Sequence, residues 1–365
     1  MNRPKRILLG HLGSNGDCLY ATAVARQIKH DYPACHLTWA VGSLYRQAVE
    51  NNPYVDEIWE VPVANRNEVE IVWKRFVQEA KHRKKSGEFD KIFFTQINPD
   101  NYRHFDGTVR SSTFRGYPRP ITVPITPTIR LREEEIAWVH RFAELHGLAG
   151  RKLVVLFECA AASSQSFVTP EFAMETARLV RNTLKDCAFI LSSNVKITSS
   201  DELIIDGSVV PLRGNAELTK YCTLLVGCSS GVSWLATTDW AKPLPKIQLL
   251  SKQTSVYASM CHDAEYFGLP TDSIIEMTDC STRHLADCIA AALIGSFADV
   301  RQRFHEQIEV DLHFYLERFM RSQLRQLHLL TITLSFFRVY QRYGLRPFVR
   351  YIKTKTHLSN KEYHH

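Results

Sequence analysis

The sequence predicts an α/β protein: two successive doubly wound domains facing a cleft, followed by a basic helical extension. Three observations carry this. Short β-branched or aliphatic runs alternate with helical periodicity from residue 6 to 96, and the alternation resumes from 152. The rhythm breaks between 98 and 127, in a stretch with five prolines and two glycines. Such alternation demands right-handed βαβ crossovers and parallel sheets covered on both faces. At roughly 150 residues per domain, the boundaries fall at 1–150, 151–299 and 300–365.

In order, 6–12 reads as a strand, 18–30 as a helix, 36–41 as a strand and 44–51 as helical. Then 57–61 is strand-like, 68–85 strongly helical and 91–96 strand-like. Helix 133–146 precedes a short glycine-containing break, and 153–158 is a continuous apolar run of the kind a buried parallel strand needs. Pro170 opens a helix over 170–184, at the position where its missing N–H costs nothing. Strands follow at 188–192, 203–206, 224–227 and 246–250, with helices at 215–221 and 231–240. Helices over 283–293 and 302–325 complete the pass.

Composition is that of an ordinary folded chain, 45% hydrophobic and 23% charged, which excludes disordered, collagen-like and coiled-coil classes. Apolar stretches such as 327–337 fall far short of the ~20 residues that span a bilayer. Residues 7–9 are too short for the hydrophobic region of a signal peptide, so the expected location is the cytoplasm. Nine cysteines stand singly with no Cys-x-x-Cys pair, which predicts reduced, buried thiols and neither a disulfide framework nor a zinc site. No Asp-x-Asp or His/Cys ligand cluster argues for a bound metal.

The net charge of +7 is concentrated in the tail. Between Arg318 and Lys361 stand ten Lys or Arg and no Asp or Glu, interleaved with Phe336, Phe337, Tyr340, Tyr343, Phe348 and Tyr351. A cationic, aromatic-bearing amphipathic helix suits an anionic membrane surface, reached through 318–361. A helix packed on its own protein competes with that reading; nucleic acid would use the same charge, but no nucleic-acid module accompanies it.

Residues 10–17 read Gly-His-Leu-Gly-Ser-Asn-Gly-Asp, directly before a helix. Gly13, Ser14, Asn15 and Gly16 form a small-residue turn whose glycines allow close backbone approach or positive φ. The following helix N-terminus offers N–H groups to an anion or a sugar diphosphate. The spacing fits neither the dinucleotide fingerprint nor the P-loop. Asp17 is either a helix cap or a general base at a strand end, able to take the proton from an attacking sugar hydroxyl. In the irregular stretch, Arg103, His104, Arg110 and Arg115 are candidates for holding a phosphorylated or acidic acceptor.

Residues 7–17, then Ala21, Thr22 and Ala23, then 36–42 and 52–58, resemble the opening of the heptosyltransferase family of ADP-heptose lipopolysaccharide glycosyltransferases. The resemblance is close over 7–60 and collinear to about 295. It implies a GT-B fold, with the acceptor on the first Rossmann-like domain and the nucleotide sugar on the second, and it places the family's general base on Asp17. By the same resemblance the donor diphosphate meets Ser163, Ser164 and Gln165 after the strand 153–158, and Ser229, Ser230 and Gly231 before the helix at 231. Glu158 is a candidate for a ribose hydroxyl. The sequence departs from the family in three places: Gln165 and Ser166 where a cation is usual, Ser229 for Asp, and Trp234 for His. The resulting expectation is metal-independent sugar transfer from a nucleoside-diphosphate sugar to a glycan or glycolipid in bacterial surface polysaccharide synthesis, with a non-catalytic nucleotide- or glycan-binding protein as the alternative.

Overall fold

The computed structural model describes residues 3–98, 101–159, 165–252, 258–310 and 312–353. Strands β1 (Arg6–Gly10), β2 (His36–Gly42), β3 (Glu57–Val61) and β4 (Lys91–Phe94) form a parallel sheet in the order β3-β2-β1-β4. Strands β5 (Val154–Glu158), β6 (Ala188–Ser192), β7 (Ile204–Asp206), β8 (Leu224–Gly227), β9 (Lys246–Leu250) and β10 (Ile274–Thr278) form a second parallel sheet, β10-β9-β8-β5-β6-β7. Every residue of β5 and β6 is buried, because helices cover both faces. Strand order reverses between β1 and β4 in one sheet and between β5 and β8 in the other. Crevices outside the carboxyl ends of such strand pairs are where doubly wound folds take ligands.

Most elements lie where the sequence puts them. Helix Asn15–Asp31 starts earlier than expected, 44–51 is a 3₁₀ segment at Ser43–Ala48, and the helix from 231 ends at Leu235. The sequence reading missed β10 and the short helices Val109–Phe114 and Met260–Tyr266. Helix Glu133–Leu145 buries Val139, Phe142 and Ala143 against Val154, Leu156 and Ile190 of the second sheet, so it packs with the second lobe although it precedes residue 150. All nine cysteines are unpaired; eight are buried and Cys280 is half-buried.

The continuous helix expected over 302–325 is broken. Helix Phe297–Phe304 ends, and 305–306 run against the edge strand β10. There Glu306 N–H donates to Glu276 O at 2.9 Å, Glu276 N–H to His305 Nδ1 at 3.0 Å, and Thr278 Oγ1 to Glu306 at 2.6 Å. An edge strand's unpaired backbone groups need partners, and this segment supplies them.

The chain then returns to the first lobe as a π-helical turn, Phe314–Met320, and helices Arg321–Arg325 and Leu329–Tyr343. Leu312, Tyr315, Phe319, Val339 and Phe348 close over Phe105. The anchor beneath them is Asp106, 1% exposed, which accepts from Arg342 and Arg115, each at 2.7 Å, and from Ser111 at 2.8 Å. Burial alone would raise this carboxyl, but the two guanidinium groups hold it at about 2. Among the described residues no helix is long and apolar enough to cross a membrane.

Removing one partner of a buried ion pair costs about 3–5 kcal/mol, so Asp106→Ala is expected to lower the thermal midpoint well beyond Arg103→Ala. Because the folded-state value of Asp106 lies below the unfolded one, its stabilisation is complete above about pH 4 and lost as pH falls towards about 2. Acid unfolding of Asp106→Ala should therefore be flatter than that of the unmodified chain over this window.

Candidate active site

The turn after β1 is fixed from below. Leu12 N–H donates to Gln96 Oε1 at 2.6 Å, and Gln96 Nε2 donates to Asn98 O at 3.0 Å, tying the end of β1 to the end of β4. His11, beneath the turn, places Nδ1 2.9 Å from Thr95 Oγ1, and burial holds the ring neutral, down at about 3. Neither Gly13 nor Gly16 takes a positive φ. Their small size serves packing instead: a Cβ on Gly13 would stand 2.2 Å from the Tyr45 ring, and one on Gly16 would stand 3.3 Å from the Trp234 indole.

Asp17, in the first turn of helix Asn15–Asp31, is half-buried. Its Oδ2 accepts from Ser14 N–H at 3.3 Å, so the carboxylate does cap the helix start. It also lines a cleft of about 540 Å³ between the lobes. Burial pushes its carboxyl up to about 6, opposed by the bonds from Ser14 and by the Arg66 cation. A carboxyl near that value is suited to accept a proton at neutral pH.

The cleft is built at the carboxyl ends of the strands. Residues 13–17 follow β1, Arg66 and Val69 follow β3, 96–98 follow β4, Gln165 follows β5 and 229–231 follow β8. Tyr20, Tyr45, Tyr102, Phe105, Val109, Trp234 and, from the C-terminal segment, Phe319 and Ser322 complete the lining. The sequence brings Gly13, Ser14, Asn15, Gly16, Asp17, Gln165, Ser229, Ser230 and Gly231 to one place, and the structure joins them there. Ser163 and Ser164 lie outside the described residues. Ser229, at φ 54°, donates its hydroxyl to Ala258 O and its N–H to Gln248 Oε1 at 3.0 Å. Ser230 precedes helix Gly231–Leu235 and makes no side-chain cap bond.

Glu158 is not placed to meet a ribose. It is 3% exposed, and its carboxylate accepts from Cys228 N–H and Val232 N–H, both at 2.9 Å, and from the Ser233 hydroxyl. A buried carboxylate is held by whatever donors surround it, and here these are the turn and helix after β8.

The four expected acceptor residues also lie outside the cleft lining. Arg110 is 5% exposed, paired with Asp263 at 3.1 Å, with its guanidinium 4.8 Å from the Tyr20 ring centre and 5.3 Å from that of Trp234. Arg115 is committed to Asp106, the His104 carbonyl and the Tyr266 hydroxyl. Burial and nearby cations lower His104 to about 4. Arg103 is exposed and directs Nε to His104 Nε2 at 3.2 Å. Among the described residues that line the cleft, the positive charge is Arg66, which the sequence reading passed over. Its position just beyond β3 was the available signal. Among the described residues no group of three His, Cys, Asp or Glu side chains is placed to hold a metal ion.

Compared by sequence, the chain matches no family model and no curated protein. Solved structures do share its fold. A family 9 glycosyl transferase from Veillonella parvula superposes with a TM-score of 0.55 at 15% identity, covering 83% of this chain and 97% of that one. ADP-heptose lps heptosyltransferase II of E. coli superposes with a TM-score of 0.50 at 11% identity, covering 79% and 98%. The chain therefore has the two-sheet GT-B fold that its opening sixty residues resemble.

Proposed function

We propose that the protein transfers a sugar from a nucleoside-diphosphate donor to a hydroxyl of a glycan or glycolipid, in bacterial surface polysaccharide or lipopolysaccharide synthesis. The observation that carries this reading is Asp17: a half-buried carboxyl raised to about 6, lining the same interlobe cleft as Ser229, Ser230 and Gly231. An acceptor hydroxyl in the cleft gives its proton to the Asp17 carboxylate, and the oxygen attacks the anomeric carbon. The bond to the diphosphate breaks, and the diphosphate leaves with the electron pair. Charge on that leaving group is met on the second-lobe side by the Ser230 hydroxyl and by groups of the 165 and 229–231 loops, and Arg66 faces it from the first lobe. The aromatic rings of Tyr45, Tyr102 and Trp234 give the sugars flat apolar surfaces. The chemistry draws on no metal or cofactor, and we place it in the cytoplasm at a membrane surface.

The test is transfer or donor hydrolysis with a panel of ADP-, UDP-, GDP- and CMP-sugars. Asp17→Asn is expected to keep nucleotide-sugar affinity and to lower turnover by about 10²–10⁴; near-normal turnover would reject Asp17 as the base. Since only the deprotonated carboxyl accepts a proton, kcat/KM should rise with pH through about 6 and level off above it. A chelator such as EDTA should leave the rate unchanged.

A further inference from the structure

The wall of the cleft and, among the described residues, a dense run of exposed large apolar side chains belong to one short stretch of chain. Phe319 and Ser322 line the cleft. Two residues further on, Leu324 is 51% exposed, followed by Leu327 at 80% and Leu330 at 73%. In helix Leu329–Tyr343, Ser335 and Val339 are buried against the first lobe. Leu330, Leu334 and Phe337 recur at a one-turn spacing on the other side, and all three are exposed. Large apolar side chains clustered on a surface mark a docking site rather than ordinary solvent-facing structure.

The charge around this face identifies what it docks on. Arg321 and Arg325 precede the apolar stripe, and Arg346, Arg350 and Lys353 follow it, all exposed. Glu317 and Glu309, paired with Arg321 and Arg350, lie before residue 318, and no Asp or Glu occurs from there to 361. Two further cations are turned inward: Arg342 to Asp106, and Arg338, which donates to Arg103 O at 2.8 Å. What remains outside is an apolar stripe that runs about 11 Å along the helix, from Leu330 to Phe337, bracketed by cations. That is the arrangement of a helix lying in the plane of an anionic bilayer surface. A second copy of this chain could cover the apolar side chains, but it would set the same cations against each other.

We propose that this face docks on an anionic lipid bilayer, and that docking sets the rim of the cleft at Phe319 and Ser322 in the bilayer plane. The docking stands apart from the sugar-transfer reading. Only its consequence rests on that reading: a hydroxyl carried on a lipid reaches Asp17 without leaving the membrane.

The full chain should sediment with vesicles of phosphatidylcholine and phosphatidylglycerol, and at least tenfold more weakly with phosphatidylcholine alone. Leu330→Glu combined with Phe337→Glu should lower vesicle affinity at least tenfold while leaving the circular dichroism spectrum and nucleotide-sugar binding unchanged. A fluorophore on Ser322→Cys should be quenched by nitroxide-bearing lipid. The same label on Leu145→Cys, beyond the amino end of β5 and away from the cleft, should not. Equal sedimentation with both vesicle types, or binding that survives the double substitution, overturns the docking. A dimer dissolved by that substitution assigns the face to a second copy and overturns it equally. Equal quenching at 145 and 322 overturns the orientation. Vesicle binding without sugar transfer would reject the catalytic reading and leave the docking intact.

Discussion

The contact between Gly16 and Trp234 governs the arrangement of the molecule. The first turn of helix Asn15–Asp31 lies so close to the indole that an added Cβ would press on it at 3.3 Å. Around it, Tyr20 meets Trp234 edge-on at 4.6 Å, and the buried Arg110–Asp263 pair fills the space behind. Leu19, Val109, Leu235 and Met260 join them in a core that belongs to both lobes. The strand-end loops of the two sheets are thereby held face to face. Asp17 owes its place in the cleft, and its desolvation, to this seam rather than to its own loop alone.

The architecture was legible in the sequence because buried parallel strands require aliphatic runs, and helices leave a different period. Runs such as 153–158 and 188–192 could not be mistaken. β10 was missed although Ile274 and Ile275 begin it, because Glu276 interrupts the apolar pattern; that carboxylate is buried and accepts from Ser259 Oγ at 2.7 Å and Met260 N–H at 2.7 Å. The helix expected through 305–306 failed for a comparable reason. Local periodicity there competes with the hydrogen-bonding demand of a sheet edge, and the edge prevails.

The site divides along the same line. Residues on the turns after β1 and β8 were readable, since glycine and serine beside a helix start mark a strand-end loop whatever surrounds them. The roles of Glu158, Arg110 and Arg115 were not. Each is charged, and its fate was decided by groups that no local pattern names: Cys228 and Val232 for Glu158 and Asp263 for Arg110, all far along the chain, and Asp106, nearer by, for Arg115. Charge patterning says that an arginine needs a partner, but not whether that partner is a ligand or an aspartate one hundred and fifty residues away. Arg66 was overlooked because the turn holding it has no motif of its own.

Because the chain crosses from the first lobe to the second before β5 and returns after residue 304, the second lobe is held by two covalent straps. The return strap is riveted inside the first lobe by Asp106 and Arg342. A lobe tethered at two points swings about the line joining them and does not twist freely. Both crossings and the core shared by the lobes limit how far the gap can change, and anything that grips the outer surface of the fastened strap takes hold of the first lobe itself.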